Sequence, residues 1–127
     1  MTERTKGQIE SQISEALIKF EKEYMGRGPK EAKTYIMEDM VFVRLKGVLT
    51  PAEEQLTKTA EGANLIKRTR VELLERGRGL LDKIILESTE CHIKSLHTDI
   101  STKTGERIIV FILDQEKEQV SSEPGKS

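Results

Sequence analysis

The chain has 127 residues, which suits one domain built around one hydrophobic core. Charged residues make up 34% and apolar residues 35%, with a formal net charge of −1, so no global field draws it to nucleic acid or anionic lipid. Cys91 is the single cysteine, which excludes an intramolecular disulfide and fits a reducing cytoplasm.

The opening Met1-Thr-Glu-Arg-Thr-Lys6 has no apolar run behind its charges, so no signal peptide is expected. Thr5 with Gln8 makes a capping box, and Ile9, Ile13, Leu17, Phe20 and Tyr24 then recur at helical steps. This predicts an amphipathic helix over residues 5–25. Gly26 suits the left-handed residue that stops a helix, and Pro29 blocks its resumption. Ala32 to Met37 and Met40 to Lys46 predict two strands around a tight turn at Glu38-Asp39, too close for anything but an antiparallel hairpin. In the second strand Val41, Val43 and Leu45 alternate with Phe42, Arg44 and Lys46, giving one buried and one partly wet face.

Thr50-Pro51-Ala52-Glu53 opens a second helical segment, with Thr50 as cap and Pro51 where its missing N–H costs nothing. Helix continues to Lys58, and Gly62 predicts a bend or brief break. From Asn64 the period resumes through Ile66, Leu73, Leu74, Leu80, Leu81, Ile84 and Ile85. Gly77-Arg78-Gly79 interrupts it, with either a kink or a closely packed backbone. Cys91 to Ile100 and Arg107 to Leu113 form a second hairpin around the polar loop Ser101–Gly105. The run Ile108 to Leu113 is apolar at every position and far too short to span a bilayer, so both of its faces are expected to be buried.

The predicted fold class is α+β, in the order α-β-β-α(α)-β-β: a four-stranded, mostly antiparallel sheet with helices packed against it. One domain covers residues 1–114, and residues 115–127 are expected to be a disordered polar tail. Two helical segments are few for a sheet whose last strand wants cover on both sides. That shortfall predicts a homodimer or a higher symmetric oligomer.

Three features could carry chemistry. Gly26-Arg27-Gly28-Pro29-Lys30 is either a helix stop with two surface cations or an anion-accepting concavity backed by Arg27 and Lys30. His97 and Asp99 share one face of a strand, where a carboxylate could orient the imidazole, and Ser101, Thr102, Lys103 and Thr104 adjoin them. A structural strand histidine is favoured there, with a polar binding edge as the alternative. His92 falls on the opposite face of a regular strand, so no metal site is expected. Lys67, Arg68, Arg70, Arg76 and Arg78 are interspersed with Glu72, Glu75 and Asp82 and read as a solvated helical face. No stacking aromatics interleave them, so nucleic acid is disfavoured.

Phe20-Glu-Lys-Glu-Tyr-Met-Gly-Arg-Gly-Pro-Lys30, Val43-Arg-Leu-Lys-Gly-Val-Leu-Thr-Pro-Ala-Glu53 and Ser95-Leu-His-Thr-Asp-Ile-Ser-Thr-Lys-Thr-Gly-Glu-Arg107, in that order and spacing, resemble the MpsC family. The resemblance covers about residues 5–114. It implies a soluble cytoplasmic accessory or regulatory role beside a sodium-translocating, membrane-potential-generating or inorganic-carbon (bicarbonate) transport system. A membrane transporter subunit would then be a partner, with no direct membrane insertion. The resemblance carries over no catalytic residues, and no cofactor is expected. Its motif positions here are Gly26, Arg27, Gly28, Pro29, Thr50, Pro51, His97, Asp99, Thr104 and Gly105. The expectation is a non-enzymatic binding module. The alternative is a small sensor or enzyme holding an anionic metabolite between the Gly26–Lys30 loop and the His97–Lys103 edge. In either case Gly26, Arg27, Gly28, Lys30, His97, Asp99, Thr102 and Lys103 are the candidate site residues.

Overall fold

The structure, a computed structural model, describes residues 4–116, so most of the expected tail lies outside the described residues. Its elements are α1 (Lys6–Tyr24), β1 (Glu31–Met37), β2 (Met40–Lys46), α2 (Pro51–Leu56), α3 (Ala60–Arg76), α4 (Arg78–Thr89), β3 (Ile93–Ile100) and β4 (Arg107–Leu113). The two hairpins join into one four-stranded antiparallel sheet with strand order β1-β2-β4-β3. β2 and β4 therefore form the centre, and β1 and β3 the edges. The fold is α+β in the predicted order.

α1 begins as its capping box requires. Thr5 Oγ1 accepts the Gln8 N–H, and the Gln8 side chain accepts the Thr5 N–H. Ile9, Ile13, Leu17 and Phe20 are buried on one stripe against the sheet. Full burial of such side chains is worth about 1.5–3 kcal/mol each. The polar flank of α1 lies along edge strand β1. There the Glu10 carboxylate accepts the Ile36 N–H at 2.8 Å, and the Ser14 and Thr34 hydroxyls pair at 2.7 Å. Across the sheet, Ile36, Val41, Val43, Leu45, Ile109, Phe111 and Leu113 form the helix-facing side of one core with Leu74, Leu81 and Ile85.

The β1–β2 turn needs a left-handed residue, and Glu38, with φ 55°, supplies it in place of the usual glycine. The break in the middle helical segment falls at 57–59, ahead of Gly62. Thr59 recaps the chain by accepting the Gly62 N–H. Gly62 is needed for another reason: a Cβ there would lie 1.8 Å from the Leu56 carbonyl oxygen. At Gly77 the helix does stop and restart, and what packs there is aromatic rather than backbone. A Cβ would meet the rings of Phe20 and Tyr24 at 3.0–3.1 Å, and those rings stack with centroids 5.1 Å apart.

Gly62→Ala is accordingly expected to force the α2–α3 junction apart and to cost about 1–3 kcal/mol, as overpacked sites do. Urea unfolding should show the loss as a lower midpoint at unchanged slope. Gly79→Ala, where a Cβ meets nothing within 4 Å, should be neutral or stabilising.

Candidate functional site

The outer face of the sheet departs from expectation. Arg107, Ile109, Phe111 and Leu113 are buried, but Ile108, Val110 and Ile112 are only half-buried. β4 thus alternates like any one-sided strand, and the described residues cover its apolar run on the helix side alone. Strand register assembles the outer side chains into rows. Met37, Met40, Ile112 and Ser95 form one, and Tyr35, Phe42, Val110 and His97 the next. Lys33, Arg44, Ile108 and Asp99 form a third. The centre is apolar and the rim polar, with Tyr35 46% and Met37 42% exposed. Side chains of this kind in one contiguous patch are typical of interaction surfaces.

What holds β4 in this orientation is buried charge. Arg107 enters the core at the first position of the strand, fully buried, and meets Glu21 of α1 and Arg70 of α3, both also buried. Its Nε donates to Thr98 Oγ1 at 3.2 Å and its Nη2 to the Arg70 carbonyl at 2.8 Å. Arg70 donates Nε and Nη2 to the Glu53 carboxylate at 3.0 and 2.5 Å, and Nη2 also to the Val48 carbonyl at 2.9 Å. The Glu21 carboxylate lies 3.6 Å from Arg70 Nη1 and 3.9 Å from Arg107 Nη1, too far for hydrogen bonds, so its attraction is coulombic. Burial raises the Glu21 pKa against the pull of Arg107 and Arg70. Burial likewise pushes Arg107 down to about 10, partly offset by Glu21. For Glu53 burial would raise the pKa, but hydrogen bonds from Arg70 and Thr50 prevail and hold it low.

The sequence-predicted site residues are distributed around this face. Gly26 is left-handed at φ 92° and ends α1, and the Arg27 N–H closes back onto the Glu21 carbonyl. The Lys30 N–H donates to the Lys46 carbonyl at 2.7 Å. The backbone donors of Arg27 and Lys30 are therefore taken up within the fold. Gly28 lies against Ile18 and Lys22 of α1. His97 and Asp99 are exposed on one face, as their spacing predicts. His97 Nε2 lies 3.3 Å from Ser95 Oγ, while Asp99 accepts the Ile100 N–H at 2.8 Å and pairs with Lys67 at 3.4 Å. Thr102 and Lys103 stand in the β3–β4 turn, closed by the Gly105 N–H on the Ser101 carbonyl. The 26–30 loop leads into β1 while His97 and Asp99 lie on β3, so these stand on opposite edges with β2 and β4 between them. Thr102 and Lys103, in the β3–β4 turn, share with Lys30 the end of the sheet where Gly47 adjoins both Lys30 and Gly105.

Sequence reasoning missed the buried charges. Arg70 reads as part of a solvated face, yet it falls four residues after Ile66 and four before Leu74, on the apolar stripe itself. Glu21 follows Leu17 at the same step, and Arg107 shares strand parity with Ile109, Phe111 and Leu113. Periodicity carries the signal; residue type conceals it.

A family model for the "Na+-translocating membrane potential-generating system (MpsC)" matches residues 5–115. The chain belongs to the MpsC family. The match takes in α1, the whole sheet and the buried charge cluster. Among curated proteins the chain is similar to "Uncharacterized protein YbcI" of Bacillus subtilis (strain 168), 48% identical over 116 residues covering 91% of this chain and 94% of that protein. It is also similar to "Uncharacterized protein YrhF" of the same organism, 26% identical over 119 residues covering 87% of this chain and 95% of that one. No solved structure matches. No helix among the described residues is long and apolar enough to cross a membrane.

Removing one partner from a buried ion cluster strands the other, so Arg107→Met and Glu21→Leu should each cost about 3–5 kcal/mol. The double variant Glu21→Leu/Arg107→Met is expected to lose less than the sum of the two. A denaturant-unfolding double-mutant cycle measures that coupling directly.

Proposed function

We propose that this MpsC-family chain is a cytoplasmic, non-enzymatic accessory module of a membrane-potential-generating system for ion or inorganic-carbon transport, and that it works as a homodimer. One observation carries the reading: an apolar sheet face, across both central strands, on which none of the described helices packs. Such a face is built for protein contact, since Tyr, Phe, Met and Arg are the residue types enriched at interfaces. Tyr35, Phe42, Met37, Met40 and Arg44 provide all four. The family description supplies the setting, a sodium-translocating system that generates a membrane potential. Attachment to the membrane then runs through a protein component rather than through insertion of this chain.

The test is genetic and physiological. Deleting the coding sequence in its native host should lower sodium-dependent membrane potential or bicarbonate uptake, and the intact chain supplied in trans should restore it. Affinity capture from native membranes should then enrich a multi-spanning transport subunit over a tag-only control. Unchanged potential and uptake in the deletion strain would overturn the accessory reading.

A further inference from the structure

Resting on the homodimer within that reading, we infer how the open face is closed: by a second copy of this chain, related by a two-fold axis parallel to the strands. β1 of one protomer then lies over β3 of its partner, and β2 over the partner's β4.

The rows decide this orientation. A two-fold parallel to the strands keeps each row at its own level and reverses its order. Phe42 then faces the partner's Val110 and Met40 the partner's Ile112, so the apolar centre meets itself. On the rim, Lys33 faces the partner's Asp99, and Tyr35 faces the partner's His97. One step beyond, Lys46 faces the partner's Glu106, whose carboxylate is placed on this face by its bond to Arg44. Each contact occurs twice, as an isologous interface requires.

A face-to-face two-fold perpendicular to the strands instead puts β1 over the partner's β1 and exchanges the two ends of each strand. With that axis level with Thr34 and Val43, Lys33 would face the partner's Tyr35, Arg44 the partner's Phe42, and Lys46 the partner's Met40. That arrangement sets Lys33, Arg44 and Lys46 all against uncharged partner groups, whereas the parallel arrangement leaves only Arg44, which keeps Glu106 of its own chain, against one, the partner's Ile108. Charge complementarity selects the first orientation.

Lys33 is exposed and has no ion-pair partner among the described residues. Asp99 does have one, Lys67, but that pair is loose, with side chains 42% and 76% exposed. A solvent-exposed pair of this kind is weak and leaves the second carboxylate oxygen for another cation. Sheets packed face to face sit about 10 Å apart and are rotated by about 30°. The offset at the edges is within the reach of a lysine side chain. Four strands at about 4.8 Å and seven residues at about 3.3 Å give a footprint of about 440 Å² per protomer. Doubled to about 880 Å² for the pair, that falls in the range of weak, transient association rather than of a permanent dimer.

Cross-linking reads the geometry. Within one chain Lys33 and Asp99 stand three strand spacings apart, about 14 Å. A bismaleimide linker shorter than that separation can join Lys33→Cys to Asp99→Cys only between chains; Cys91 is buried. The double variant should give a covalent dimer in high yield, and each single variant almost none. Charge exchange reads the pairing. Lys33→Asp and Asp99→Lys should each weaken self-association by roughly tenfold in sedimentation equilibrium, and the two together should recover most of it. Val110→Arg should abolish the dimer while leaving the far-UV circular dichroism unchanged. Strong self-cross-linking of Lys33→Cys alone, or wild-type chain that remains monomeric at roughly 100 µM, would overturn the inference. Its failure is separable from that of the accessory reading. A monomeric chain that still restores uptake in the deletion strain sinks the dimer alone. A correctly cross-linked dimer whose deletion leaves uptake intact sinks the accessory role alone.

Discussion

Glu21 lies between the guanidinium groups of Arg70 and Arg107, and through that contact α1, α3 and β4 become one body. Glu53 extends the link to α2 by its bidentate grip on Arg70. The desolvation of these groups is a large cost, offset only while each has its counter-charge in place. Where Arg107 points also decides where every other β4 side chain points. Side chains alternate strictly along a strand, so an inward Arg107 sends Ile108, Val110 and Ile112 outward. The apolar outer face is thus a consequence of the buried cation as much as of the apolar run itself.

Much of the architecture is legible in the sequence because it depends on local chemistry. The capping boxes at Thr5 and Thr50, the stop at Gly26 and the β2 alternation each encode a decision within a few residues. β4 is the instructive exception. A run of apolar residues is indistinguishable, by pattern, from a strand buried on both sides, and only the arrangement of the helices shows that the described residues cover one side. The middle helices show a similar limit. Gly62 looks like a helix breaker, but its role is steric, a close approach to Leu56 that composition cannot express.

The candidate site was harder to read for a physical reason. The Gly26–Lys30 loop and the His97–Asp99 segment are both conspicuously polar, and proximity between them depends on strand order rather than on spacing. With β1 and β3 at opposite edges, the polar residues form a rim around the apolar centre. The ionic cluster was hidden differently, because arginine and glutamate on a helix are solvated far more often than buried. Their positions on the apolar stripes of α1 and α3 were the better guide.

The contact between Glu10 and the edge of β1 has a consequence for assembly. An edge strand presents unpaired N–H and C=O groups that can recruit further strands without limit, the route to fibres. The Glu10 carboxylate already occupies the Ile36 N–H, and α1 runs alongside with Ser14 on Thr34. A ladder extending sideways from β1 would have to displace the Glu10 hydrogen bond and part of a helix. Growth through that edge is thereby discouraged, while the sheet's broad face stays available for association. A contact made through one face closes after two molecules, so the chain can be sticky without polymerising.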